Sequence, residues 1–480
     1  MSTKTNIKEY PLYLNGKFEK IGIKKLITNP YDGKPVGYAY FADKKIASEA
    51  IGHAGEGFKK MKSLPTYKRA EILDGIARGI EENLEEIART IALEAGKPIK
   101  YARGEASRCI ITFRTAAEEA KRIGGEVMPL DWAESARNRM GYTRRFPIGI
   151  IFGITPFNFP LNLAAHKIAP AMAAGNSIIL KPASTDPISA LWLARLAHEA
   201  GAPAGSFQVL PASAGDIQPI IQDERVKMIS FTGSAGVGWS LKAKSGKKRI
   251  ALELGGNAGA IVDKECDIDY AVQRCLMGSF AYAGQVCISV QRIFIHSEIY
   301  DDFVGRMIDG VKKTVKVGDP LDDEVMMSAL IREEDAKRVE SWVNEAVDGG
   351  AKILAGGKRE GSVYMPTILT NVKRDMKVYK DEIFGPVVLV DKFDTFDEAV
   401  RKVDDSRYGL QAGVFTRDLE KALFAYENIE VGGVMINDVP TFRIDPMPYG
   451  GLKDSGVGRE GLKYAIEEMT EQRLMVINRS

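Results

Sequence analysis

Between residues 150 and 256, short apolar runs alternate with helical segments, and this limits the fold more than any other feature of the chain. The runs 150–154, 176–181, 206–210, 227–231 and 250–254 have strand length and read as strands. Asp186-Pro187 reads as an N-cap followed by proline at the first helical position, and Gly201 stops that helix. Residues 217–221 read as a shorter helix. Strands alternating with helices predict a parallel sheet covered on both faces. Ligands of such sheets sit at the carboxyl ends of the strands.

The rest of the chain adds layers around this unit. Residues 11–18 read as a hairpin turning at Asn15-Gly16. Residues 44–122 read as helical, with Ile72, Leu73, Ile76 and Ile80 on one face; Arg108 lies inside this layer. Residues 124–149 read as a long hairpin outside the main core, with a polar middle at 131–138. A second alternating region follows: helices at 267–277, 299–314, 333–349, 395–403 and 419–428, and strands at 291–295, 383–389, 413–416 and 433–437. That is enough for an α/β domain of its own, and 480 residues are too many for one core. The tail, 473–478, is a lone strand that needs a partner. The hairpin at 124–149 is a candidate, in the same subunit or another.

Composition removes several classes of function. The net charge of +2 points to neither nucleic acid nor an acidic membrane surface. Four cysteines fit no zinc pattern and no disulfide framework, and four scattered histidines form no metal site. A reducing, cytoplasmic setting is expected. The first 17 residues lack the apolar segment of a signal peptide. The most apolar stretch, 148–180, is interrupted by Pro156, Asn158, Pro160, Asn162, His166 and Lys167, so no membrane span is expected there.

Candidate chemistry sits at the ends of the runs. In AYAGQVCISVQR (281–292), Gly284 permits a tight turn just before Cys287. Cys287 is a nucleophile whose own N–H faces the substrate, or a buried structural cysteine. Asn158, fixed between Pro156 and Pro160, is an oxyanion donor or a turn asparagine. Lys181 ends a strand, where it reaches a nucleotide or only solvent. The small residues of 231–238 allow backbone N–H groups to approach a pyrophosphate, although this is not the G-x-G-x-x-G pattern. Glu253, inside an apolar strand, is costly unless paired or functional. Desolvation there would raise its pKa and suit a general base, unless its strand is an edge strand and its side chain points outward.

TPFNFP, KPAS, SFTGS, LELGG, GQVC, EIFGP, YGL and MPYGGLKDSGVGREG occur in this order along the chain. Together, and with the separation of Glu253 from Cys287, they resemble the non-phosphorylating NAD(P)-dependent aldehyde dehydrogenases over residues 10–470. The resemblance implies an α/β fold with a Rossmann-like parallel-sheet cofactor domain, a second α/β catalytic domain and a small β oligomerisation arm. It assigns 1–126 and 148–255 to NAD(P) binding, 256–440 to catalysis, and 127–147 with 467–480 to an arm that makes homodimers or homotetramers. It makes Cys287 the thiolate nucleophile, Asn158 and the Cys287 N–H the oxyanion donors, and Glu253 the activator of the hydrolytic water. The hemithioacetal on Cys287 would pass hydride to the nicotinamide, leaving a thioester that water releases as the acid. Lys181 would hold the adenosine ribose, Ser234 a phosphate and Glu382 the nicotinamide ribose, with Phe384 packing nearby. Ile154, Thr155, Pro156, Phe157, Ser184, Gly215, Phe231, Thr232, Gly233 and Leu254 would complete the cofactor site.

One departure is GGNAGAIV, where the family commonly has proline near Gly259; a small backbone change is expected. Many NAD-preferring members have glutamate at the Ser184 position, so serine is expected to admit NADP, alone or beside NAD. The presence of Glu253 favours hydrolysis over acyl transfer to coenzyme A, and the intact Cys287, Glu253, Asn158 and Lys181 argue against a non-enzymatic relative. The segments around Asn158, Cys287 and Arg443 look most like the lactaldehyde dehydrogenase-like branch, which implies a small lactaldehyde-, glycolaldehyde- or glyceraldehyde-like substrate. Arg108, Arg443 and His166 are substrate candidates. Two arginines could clamp an anionic aldehyde such as phosphonoacetaldehyde, glyceraldehyde 3-phosphate or succinate semialdehyde.

Overall fold

The computed structural model describes residues 7–479. Its largest sheet has eight strands in the order Gly456–Val457, Arg249–Glu253, Val226–Thr232, Ile150–Ile154, Ser177–Lys181, Phe207–Val209, Leu12–Leu14 and Lys17–Glu19. The run from Arg249–Glu253 to Phe207–Val209 is parallel throughout. Ile150–Ile154 and Ser177–Lys181 are buried at every position, which explains why their sequence is continuously apolar rather than alternating. From Ile150–Ile154 the chain first builds to one side, then returns to build the other. That reversal opens a crevice at the carboxyl ends of the strands. Ile154 is in register with both Lys181 and Phe231, and Thr232 with Glu253, so these residues end their strands at one level.

A second sheet of seven strands runs Lys352–Ala355, Thr367–Thr370, Val387–Phe393, Val290–His296, Ala258–Val262, Gln411–Phe415 and Gly433–Ile436. Val290–His296 lies at its centre and begins just after Cys287. Its neighbour Ala258–Val262 was not legible as a strand, because alanine and glycine give little apolar signal. The ladder slips register between Ala258 and Gly259. A Cβ on Gly259 would lie 3.0 Å from Val403, so the small residue suits tight packing there.

Two local expectations are corrected. The strand expected at 383–389 runs Val387–Phe393. Residues 382–386 instead make a turn, with Phe384 at φ 49° and a proline that has no N–H for a ladder. Asp186 does not cap the helix Ile188–Glu199. Glu94, from the helix Leu84–Ala95, accepts from the N–H groups of Ile188 (2.8 Å) and Ser189 (2.7 Å). A carboxylate from a neighbouring helix satisfies these orphan donors as well as a local one.

The tail strand Thr470–Asn478 pairs antiparallel with Arg139–Pro147 along its whole length, and Val127–Pro129 lies on the other side of Arg139–Pro147. The partner of the tail is therefore the chain's own hairpin. Leu474, Met475, Val476 and Ile477 remain exposed on it. Among the described residues, no helix is long and apolar enough to cross a membrane.

Candidate active site

The turn before Cys287 is built from left-handed backbone. Tyr282, Ala283 and Gly284 have φ of 53°, 54° and 68°. Non-glycine residues in this region cost about 1–3 kcal/mol each and persist only where the surroundings over-determine them. Here Tyr282 Oη donates to the Ala95 carbonyl (3.1 Å), and a Cβ on Gly284 would strike the Gly385 carbonyl. Gln285 Oε1 accepts from the Ile331 N–H (2.9 Å), while its carbonyl accepts from Asn158 Nδ2 (3.0 Å). The amide of Asn158 is thus aimed by the cysteine turn itself, and one Nδ2 hydrogen is left over.

Cys287, Asn158 and Glu253 line one cavity of about 590 Å³ with Thr232, Gly233, Ser234, Glu382 and Phe384. Glu253 is buried and neither carboxyl oxygen has a hydrogen-bond partner. Its strand is not an edge strand, since Gly456–Val457 covers it. Burial, and then the nearby Glu460, push the Glu253 pKa well up. Burial also raises the Cys287 thiol to about 11, against a lowering contact from Tyr449, whose hydroxyl is 2.9 Å from Sγ. In this arrangement the Cys287 thiol holds its proton at neutral pH, and burial disfavours the charged form of Glu253.

The remaining strand ends fit a dinucleotide. Ser234 precedes the helix Ala235–Lys244, whose first N–H groups have no side-chain cap and suit a phosphate. A Cβ on Gly233 would lie 2.6 Å from the Phe231 ring, and one on Gly255 would run into the Glu382 carboxylate, so both glycines keep this wall open. Thr155 Oγ1 is buried without a partner. Glu382 accepts from the Gly256 N–H (3.0 Å), and burial raises its pKa to about 7. Phe384 meets Phe157 edge-on at 5.8 Å. Lys181, lowered by burial to about 8, spends one donor on the Pro182 carbonyl. Ser184 and Gly215 are exposed on the adjoining loops, and Ser184 Oγ donates to the Ala212 carbonyl. Lys181, Ser184 and Gly215 lie outside the 590 Å³ cavity.

The three substrate candidates belong to one buried charge network. Asp445 Oδ1 accepts from Arg108 Nη2 (2.8 Å), Asn162 Nδ2 (3.0 Å) and His166 Nε2 (2.8 Å), and Asp445 Oδ2 from Arg108 Nε (3.2 Å). Burial, then the adjacent Arg443, keep His166 neutral. Its Nε2 carries the proton, because the carboxylate is the nearer and stronger acceptor. Arg443 Nη2 donates to Glu460 Oε2 (2.9 Å), and Lys167 donates to Ser230 (3.2 Å), Thr232 (2.8 Å) and Glu460 (3.5 Å). Burial alone would raise Glu460; Lys167 and Arg443 outweigh it and hold the carboxyl at about 2. The arginines are therefore not a free pair of cations. Each already has a carboxylate, Arg108 remains 29% exposed, and the buried Arg443 Nε has no partner.

The sequence pattern of the aldehyde dehydrogenase family matches residues 23–475. The chain belongs to the aldehyde dehydrogenase family. It is 47% identical over 479 residues to the 3-sulfolactaldehyde dehydrogenase of Priestia megaterium, covering 100% of both chains. It is 44% identical over 459 residues to the lactaldehyde dehydrogenase of Methanocaldococcus jannaschii, covering 94% of this chain and 97% of the relative. The crystal structure of the glyceraldehyde-3-phosphate dehydrogenase GapN of Methanocaldococcus jannaschii, complexed with NADP, superposes with a TM-score of 0.92 at 43% identity, covering 96% of this chain and 100% of that one. The protein is an NAD(P)-dependent oxidoreductase.

In this aldehyde dehydrogenase, the sequence reading singled out neither Asp445 nor Glu460, saw Tyr449 only as part of a glycine-rich loop, and saw Lys167 only as an interruption of an apolar stretch. A signal existed for some of the network. Asn162, His166 and Lys167 interrupt the most apolar stretch of the chain, and all three are buried in the wholly buried helix Asn162–Ala174. Polar residues there need partners. Glu105, Arg108 and Thr112 recur at helical spacing on Ile99–Arg122. Glu105 accepts from the N–H groups of Leu161 and Asn162, Arg108 holds Asp445, and Thr112 donates to Asn162.

Proposed function

We propose that this enzyme oxidises a small 2-hydroxyaldehyde of the lactaldehyde type to its carboxylic acid. The observation that carries the mechanism is Glu253, a buried carboxyl with no partner on the wall that also carries Cys287. The Cys287 thiolate adds to the aldehyde carbon, and the charge that develops on oxygen meets the free Nδ2 hydrogen of Asn158. NAD(P), when bound, supplies the hydride acceptor; Lys181, Ser234 and Glu382 are the residues proposed to hold it. Glu253, as carboxylate, takes a proton from water as that water attacks the thioester. The carbon–sulfur bond breaks, and Cys287 leaves as thiolate with the acid as product.

A second reading, an anionic aldehyde, is favoured by Arg443 Nε, a buried donor without an acceptor. A hydroxyl oxygen would satisfy one such donor; a sulfonate, phosphate or carboxylate would engage Arg108 as well. The test compares lactaldehyde with 3-sulfolactaldehyde, succinate semialdehyde and glyceraldehyde 3-phosphate, in wild type and Arg108→Ala. For the first reading, lactaldehyde has the highest kcat/KM, and Arg108→Ala changes it little. For the second, an anionic member leads, and Arg108→Ala raises its KM roughly 10-fold or more.

Cofactor choice follows from Ser184, which carries no charge to repel a 2′-phosphate. Ser184→Glu is expected to lower kcat/KM with NADP roughly 10-fold or more while sparing NAD. Equal losses with both cofactors would remove Ser184 from this role. We assign 1–126 and 148–255 to cofactor binding and 256–440 to catalysis. The segments 127–147 and 467–480 form an arm for a homodimer or homotetramer, a reading supported by the exposed apolar residues of Thr470–Asn478.

A further inference from the structure

Tyr449 has no part in the reaction as described above, yet its hydroxyl touches the reacting sulfur, 2.9 Å from Cys287 Sγ. The side chain is 3% exposed and packs with Ile288 and Leu410. The Arg443 guanidinium carbon lies 3.7 Å from its ring centroid, within cation–π range. Its backbone N–H and carbonyl exchange hydrogen bonds with Glu460. A ring held on all these sides keeps one soft coordinate, the rotation of its O–H bond.

While the thiol is neutral, either partner can donate. Once sulfur is ionised only the phenol can, and the contact becomes a charge-assisted hydrogen bond. Burial, and then the charge of Cys287, hold the Tyr449 pKa well above its ordinary value, so the phenol keeps its proton when the thiol gives one up. With the thiol raised to about 11, only about one molecule in a thousand would carry thiolate at pH 8. Any donor to that thiolate therefore changes the reactive fraction directly.

We propose that Tyr449 is a catalytic residue, donating a hydrogen bond to the Cys287 thiolate and so enlarging the population ready to attack; this rests on Cys287 being the nucleophile. The thiol proton leaves to solvent on ionisation. As the sulfur–carbon bond forms, the carbonyl π pair moves to oxygen. Sulfur then becomes a thioether, a poor acceptor, and the phenol hydrogen is released from it. The donor thus favours the thiolate over the adduct, and its benefit lies in ionisation.

The test is the pH dependence of iodoacetamide alkylation at Cys287, read by peptide mass, which needs no turnover. Tyr449→Phe keeps the ring, its packing and the Arg443 stack. The alkylation pKa is expected to rise by roughly one unit or more, with about a 10-fold slower reaction at pH 8. Replacing Tyr449 with 3-fluorotyrosine, a stronger donor, is expected to move the pKa the other way. Should Tyr449→Phe lose its cooperative melt, the fluorotyrosine protein decides alone. Unchanged alkylation profiles in the folded proteins would overturn the role of Tyr449. Failure of the underlying reading looks different: Cys287→Ala would keep its turnover, whatever the alkylation profiles show.

Discussion

Cys287→Ala is expected to lower kcat for NAD(P)H formation by a factor on the order of 10⁴ or more, because removing a nucleophile leaves only binding and oxyanion stabilisation. The expectation depends on Cys287 and not on the other three cysteines. Cys109 and Cys275 are fully buried in hydrophobic clusters, and Cys266 lies away from the cavity. Cys287 alone follows a strained turn and lines the cavity. Losing a partly exposed sulfur costs little packing, so the variant should melt within a few degrees of wild type. The assay is NAD(P)H absorbance with lactaldehyde and 3-sulfolactaldehyde; residual activity above a hundredth of wild type would remove Cys287 as nucleophile.

Glu253→Gln is expected to separate the two halves of the reaction. Acylation needs no base at this position, so about one equivalent of NAD(P)H should still appear per active site in a burst. Steady turnover then falls by roughly 10²–10⁴-fold, because the acyl group stays on Cys287. Intact-protein mass after quenching would show the acyl adduct in the variant. The pH dependence has a definite sign. Burial pushes the Glu253 pKa up, and the active form is the carboxylate, so wild-type deacylation accelerates as pH rises through that raised pKa. The variant should lose this limb. Glu253 has no hydrogen-bond partner to forfeit, and burial disfavours its charged form, so a neutral isostere should leave stability nearly unchanged. A fall in both burst and turnover would return Glu253 to a structural role.

The legible parts of this molecule are those set by contiguous residues. Ile150–Ile154 and Ser177–Lys181 were found because a strand buried on both faces must be apolar throughout. The hairpin at Asn15-Gly16 is legible because an Asn-Gly pair is the residue pair that tight hairpin turns favour; Asn15 takes φ 49° and Gly16 φ 79° in the structure. The strand Ala258–Val262 was missed because its small side chains carry little periodic signal. Asp186 looked like a cap because caps are usually local, and here Glu94 supplies one from another helix.

The sequence by itself determined the parallel sheet, the strands ending at Ile154 and Lys181 and, to within one residue, those ending at Thr232 and Glu253, and the glycine turn into Cys287. These follow from side-chain periodicity and from backbone conformations that few residues tolerate. Only the tertiary structure decided that Asp445 takes Arg108 and His166, that Glu460 takes Arg443 and Lys167, and that Tyr449 lies against Cys287. Charges far apart along the chain choose partners by which are buried together. In a low-dielectric interior an unpaired ion is too costly to leave, whereas in the unfolded chain water makes nearly all such pairings equivalent.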